Sequence, residues 1–198
     1  MPKQTVALFV RKWKACKACP LHHWAHRHVL YRGQIPAEVV LIGEAPGKVE
    51  DKLGRPFVGP SGQLLDALLS DLKLTSFCII NVVCCIPWKN NAKNTEIRPP
   101  SVDEANACED HIIELLELAK PKLIVFLGKE AEKTKVSVLL AYQHAPAVPP
   151  LLPIRHPAYI LRNGGVTSLE YKRNLHALSK ALSDAGILHQ IPPVTKVG

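Results

Sequence analysis

Six cysteines stand among the 198 residues, and two of them form a CxxC, Cys16-Lys17-Ala18-Cys19. A lone CxxC is weak evidence for a metal centre, since a closed thiolate site needs two more donors. Cys85, at the end of an apolar run, and Cys108, within a helical stretch, complete a set of four. Spacing alone leaves an iron–sulfur cluster and a zinc site equally open. Cys84 should face away from Cys85 on an extended chain and so reads as core, as does Cys78.

A second concentration runs from Gly43-Glu44-Ala45-Pro46-Gly47 to Phe57-Val58-Gly59-Pro60-Ser61-Gly62. Glycines and prolines packed this densely describe a rigid loop that a ligand can approach closely. Free backbone N–H groups at a helix start near Ser61-Gly62 suit a phosphate or carboxylate. Phe57 has no periodic partner, so its ring either plugs the core or stacks on a planar ligand. A third concentration is Arg155-His156-Pro157, where an imidazole stands at a strand end.

Elements that could position these residues are legible as buried-type strands alternating with amphipathic helices. Val39–Ile42, Phe77–Val83 and Leu123–Leu127 are apolar runs, and Leu151-Leu152-Pro153-Ile154 reads as a fourth strand whose proline suits an edge. Val6, Phe9, Val10 and Trp13 repeat at helical spacing. A helix opened by Ser61 carries Leu64, Leu65, Leu68, Leu69 and Leu72 on one face. Ser101 and Glu104 form a capping box before a helix with Cys108, Ile112, Leu115 and Leu116, and Lys172–Leu182 closes the chain's helices. Alternation of this kind implies a parallel sheet covered on both faces, with ligands beyond the carboxyl ends of its strands. Those ends deliver Gly43-Glu44, Asn81 to Cys85, Gly128 and Arg155-His156.

Composition bounds the partner class. Hydrophobic residues make up 47% and charged residues 21%, and 25 lysines and arginines against 17 acidic residues leave a net charge of +8. The excess favours a polyanion, nucleic acid first. No apolar run approaches the ~20 residues needed to span a bilayer. Lys12 and Lys14 interrupt any signal-peptide core, so the expected location is intracellular, cytoplasmic and DNA-associated. In that reducing setting clustered cysteines point to metal rather than disulfides. Residues 1–198 read as one domain and one monomer, with the CxxC on a helical segment spanning 1–35.

The run Gly43 to Gly62 closely resembles the first motif of family 4 uracil-DNA glycosylases, G-E-(A/G)-P-G-x-x-E-D-x-x-G-x-P-F-V-G-x-x-G, and matches every fixed position. The likeness resumes at Asn81-Val82-Val83-Cys84-Cys85 and at His156-Pro157-Ala158-Tyr159-Ile160-Leu161-Arg162. It implies a three-layer α/β/α sandwich around a four-stranded parallel sheet, and an enzyme that excises uracil from double- or single-stranded DNA. It also implies a [4Fe–4S] cluster on Cys16, Cys19, Cys85 and Cys108. Gly43, Phe57 and Asn81 then bind the base, and Glu44, Glu50 and His156 carry catalysis. The stretch Ala158 to Gly165 is similar to the family's DNA-penetrating loop, so Tyr159, Leu161 and Arg162, with Ser61, are expected DNA contacts.

The chain departs from the pattern in a longer stretch between Ile86 and Ala107, with 89–94 read as a solvated basic insertion. Ala45 stands where the best-known uracil glycosylases have aspartate, which leaves the activating carboxylate open. Competing readings are a same-fold glycosylase for another deaminated base, a non-catalytic DNA-binding relative, and a zinc-binding regulatory module. A relative that traps its product on a histidine would need an insertion beside the first motif, and none is present. Residues 134–150 match the family poorly and carry no functional expectation.

Overall fold

A computed structural model describes residues 5–89 and 96–187. In chain order the elements are α1 (Val6–Lys14), β1 (Arg32–Gly33), β2 (Val39–Gly43), α2 (Lys48–Leu53), α3 (Pro60–Asp71), β3 (Phe77–Asn81), α4 (Val102–Ala107), α5 (Glu109–Ala119), β4 (Leu123–Leu127), α6 (Lys129–Glu132), α7 (Lys135–Ala141), β5 (Leu151–Ile154), α8 (Pro157–Arg162) and α9 (Leu169–Asp184). Short 3-10 turns lie at Pro20–His23 and Gly165–Thr167.

The sheet has five strands in the order β1-β3-β2-β4-β5. Four of them, β3-β2-β4-β5, are parallel, as the apolar runs predict. The fifth, β1, is a two-residue antiparallel addition on the β3 edge and carries no periodic signal of its own. Pro153 lies in the edge strand β5, where a missing N–H leaves no interior ladder bond unmade.

Alternate strand residues feed two cores. Val40, Ile42, Cys78, Ile80, Ile124 and Phe126 pack with Phe9 and Trp13 of α1, Ile112 and Leu115 of α5, and Val138 of α7. Val39, Leu41, Ile79, Leu123 and Val125 pack with Leu65 and Leu68 of α3, Ile160 of α8, and Leu178 and Leu182 of α9. Helices therefore cover both faces and make the three layers. Residues 134–150 acquire a structural role here, since α7 seals the first face beside α5.

Three boundaries differ from the sequence reading. The second parallel strand stops at Asn81, and residues 82–87 leave the ladder. The leucine-rich helix begins at Pro60, with Gly59 as its N-cap, rather than at Ser61. Cys108 is not inside a helix. It is the joint between α4 and α5, with φ −99° and ψ 0°, and the Ser101–Glu104 capping box starts α4 as expected. The reading of 89–94 as a solvated insertion lies, from residue 90 onward, outside the described residues.

Leu41, fully buried in a central strand, reports on the second core. Leu41→Ala is expected to lower folding stability by about 2–5 kcal/mol, read by chemical denaturation.

Candidate active site and thiol cluster

β2 and β3 run side by side, and Gly43 pairs with Asn81 at their carboxyl ends. That pairing needs a residue without a side chain. A Cβ on Gly43 would come within 2.4 Å of the Phe57 ring and 2.6 Å of Asn81 Oδ1. Phe57 and Asn81 thus converge over Gly43, and His156 arrives from the β5 end, its ring 5.8 Å from that of Phe57. All three line one cavity of about 180 Å³, together with Ala45, Gly47, Glu50 and Ser61. The sequence reading missed the lining roles of Ala45 and Gly47, although both lie inside the first motif, and it placed Ser61 among the DNA contacts only.

Asn81 is 1% exposed, and neither its Oδ1 nor its Nδ2 has a hydrogen-bond partner. A buried amide left open on both sides forgoes about 1–3 kcal/mol per group unless something else pairs with it. The cavity it lines is open space beside it. No neighbouring side chain among the described residues locks the amide by a hydrogen bond, so its orientation is set by whatever it binds.

His156 is the N-cap of α8, and its Nδ1 accepts from the Ala158 N–H at 3.0 Å. An imidazole accepting at Nδ1 carries its proton on Nε2, its one remaining donor. Burial, helped by the Arg162 charge, lowers its pKa to about 4, so the ring is neutral near pH 7. Gly128, at φ +92°, makes room for this ring, since a Cβ there would stand 2.9 Å from His156 Cβ.

The two candidate carboxylates part company. Glu50, from α2, lines the cavity, and its Oε1 accepts from the Val58 N–H at 3.0 Å and the Gly59 N–H at 2.7 Å. Glu44 faces the other side of His156, in an adjoining 340 Å³ cavity with Lys129, Ala158, Tyr159 and Arg162. Burial and the Glu130 charge raise the Glu44 pKa, while Lys133 opposes them. Tyr159, which lines this cavity, and Leu161 are both exposed on α8.

Behind the first face of the sheet the thiols gather. Cys19 and Cys108 are in side-chain contact, which with burial raises the Cys19 pKa. Burial chiefly, and then the charges of Cys108, Cys19 and Cys16, raise that of Cys85. The Cys19 contact pulls Cys108 down, but the thiol of Cys84 and burial push it up to about 12. Cys84 is therefore not on the opposite face. Once the chain leaves the β3 ladder alternation ends, and Cys84 and Cys85 enter one core with Cys108. Among the described residues no three such donors close around a single ion.

Comparisons with known proteins give the family. The uracil DNA glycosylase superfamily matches residues 30–180. The chain belongs to that superfamily. A type-4 uracil-DNA glycosylase of Thermotoga maritima is 36% identical over 160 residues, covering 76% of this chain and 80% of that protein, which places the chain in the type-4 branch. A type-4 enzyme of Pyrobaculum aerophilum is 38% identical over 128 residues, 64% of this chain and 62% of that protein. SMUG2 of Pedobacter heparinus shares the fold at a TM-score of 0.54 and 17% identity, over 75% of this chain and 76% of that one.

For this superfamily member, Glu50→Ala is expected to strand the Val58 and Gly59 N–H groups and cost about 1–3 kcal/mol in thermal or chemical unfolding. Glu50→Gln keeps an acceptor and should retain most of that stability.

Proposed function

We propose that the chain excises uracil from DNA by hydrolysing its N-glycosidic bond, leaving an abasic site. The observation that carries this reading is the buried, doubly unpartnered amide of Asn81 beneath the Phe57 ring. An everted pyrimidine stacked on Phe57 offers adjacent O4 and N3–H groups, which match one acceptor and one donor. Cytosine presents the reverse pattern, an amino donor beside a bare N3, and meets the amide only if that group turns over. The base must leave the duplex, because its glycosidic carbon is unreachable inside the stack.

Bond cleavage puts negative charge on the departing base, and a preorganised neutral donor stabilises such charge without first losing a proton. His156, holding its proton on Nε2 at the cavity wall, fits that role. Glu44 shares the adjoining cavity with His156 and is the carboxylate suited to orient water or favour a cationic sugar. Glu50 shapes the pocket through Val58 and Gly59, with Oε2 as its remaining acceptor. Tyr159, Leu161 and Arg162 would meet the strand around the everted nucleotide, and Lys129 and Arg162 would draw its phosphates.

Cys16, Cys19, Cys85 and Cys108 would hold a [4Fe–4S] cluster. Contact with Cys108 and burial raise the Cys19 pKa, burial and neighbouring thiols raise that of Cys85, and Cys84 and burial raise that of Cys108. A cationic centre would relieve this condition by turning thiols into thiolates. The cluster supplies a cross-link between the N-terminal segment, the β3 end and the α4–α5 joint. Cys84 would sit beside that set as a neighbour of Cys108.

Uracil release from a labelled oligonucleotide by anaerobically prepared protein tests the reading. Asn81→Ala and His156→Ala should each cut turnover by at least about 100-fold with folding retained. Wild-type protein that releases no uracil from paired or single-stranded substrate refutes it. The sign of the pH response also follows. A histidine whose pKa is depressed from 6.5 to about 4 stays neutral until pH nears 4. The log of kcat/KM should therefore show no His156-dependent acid limb near pH 6.5.

A further inference from the structure

We infer that the His26–Asp51 pair positions the Glu50 loop, coupling the thiol-bearing segment to the base cavity. The inference rests on the uracil-excising reading for its kinetic consequence, but its structural half stands apart from it.

Asp51 is the neighbour of Glu50 on α2, and it is 1% exposed. A carboxylate buried that deeply needs partners for both oxygens. It finds them in a single residue: the His26 backbone N–H reaches Oδ1 at 2.9 Å, and His26 Nδ1 reaches Oδ2 at 2.6 Å. The imidazole itself is 58% exposed, so it is a cover laid on the carboxylate from outside rather than a core residue.

The three residues after His26 show what the cover is fastened to. Arg27 Nε donates to the Lys52 carbonyl at 3.0 Å, and its stem lies against Gly54, where a Cβ would meet Cδ at 2.9 Å. His28 Nε2 lies 2.9 Å from the Cys16 carbonyl. Val29 N–H donates to the Cys84 carbonyl at 2.8 Å. Four consecutive residues therefore hold α2 at one end and the two cysteine-bearing segments at the other.

The residue before Asp51 on α2 carries the carboxylate that binds Val58 and Gly59, directly beside Phe57. Phe57 sits at φ +53°, a conformation that an L-residue keeps only when its surroundings impose it. A shift of α2 would move the Glu50 carboxylate, and with it the ring that stacks on the base. His26 and Asp51 are thus positioning residues that touch no substrate. Motif matching selects Asp51 as a fixed position but gives no hint of its partner, 25 residues upstream.

The test compares wild type, His26→Ala and His26→Asn at matched iron content. Asparagine places Nδ2 where histidine has Nδ1, so it restores the contact. In His26→Ala the backbone amides of Val58 and Gly59 should lose at least about 10-fold of their hydrogen-exchange protection, with those of α3 and α5 unchanged. Uracil-release kcat should fall about 10-fold with KM within about twofold, and His26→Asn should recover both readouts. Val58 and Gly59 amides as protected in His26→Ala as in wild type overturn the inference. Failure of wild type to release uracil refutes the functional reading instead, and the exchange data then decide on the pair alone.

Discussion

Two hydrogen bonds, from the Val58 and Gly59 N–H groups to one oxygen of Glu50, hold the site in shape. The loop between β2 and α3 must turn sharply enough to lay Phe57 over Gly43, and it does so with that residue in the left-handed region. The Gly59 N–H is buried and that of Val58 half-buried at this turn, and one carboxylate oxygen serves both. The glycines around it follow from the same demand. A Cβ on Gly47 would stand 2.7 Å from Glu50 Oε2, and one on Gly62 would stand 2.0 Å from the Phe57 carbonyl oxygen. Much of the long first motif is therefore a specification for bending a chain, and only a few of its side chains face the cavity.

The sheet separates two kinds of chemistry. Thiols collect on the face covered by α1 and α5, while the cavity opens at the carboxyl edge and Phe57 packs with the core under α3. The segment from Asn81 to Cys85 belongs to both, with an amide reader at one end and a thiol at the other. Position along these five residues, rather than a folded domain boundary, divides the cavity from the thiols.

Much of this was legible in the residues. Apolar runs reveal the parallel strands because buried β-strands need no alternation, and Pro153 marks the edge. Phe57, Asn81 and His156 come from three remote segments, and the rule that parallel sheets bind ligands beyond their strand ends brings them together. Direction was not legible. Glu44 and Glu50 lie in one motif, yet they open into different cavities, because side-chain aim depends on where β2 ends and how α2 is tilted. Cys108 sits at a helix joint that apolar periodicity runs straight through. Cys84 joins the thiols because β3 ends three residues before it, a boundary set by the ladder to β2 and not by local preference. The two-residue β1 and the His26 contact leave no periodic trace at all.

The open amide of Asn81 has one more consequence. On the proposed reading its donor and acceptor pair with a base in the cavity, and cutting the sugar away leaves those atoms of the base untouched. The liberated pyrimidine would then keep the edge that meets the amide and would itself be a ligand, stabilising the folded form by mass action. Departure of the small product, and not only bond breaking, then becomes a step with its own barrier. The abasic strand and the free base need not leave together.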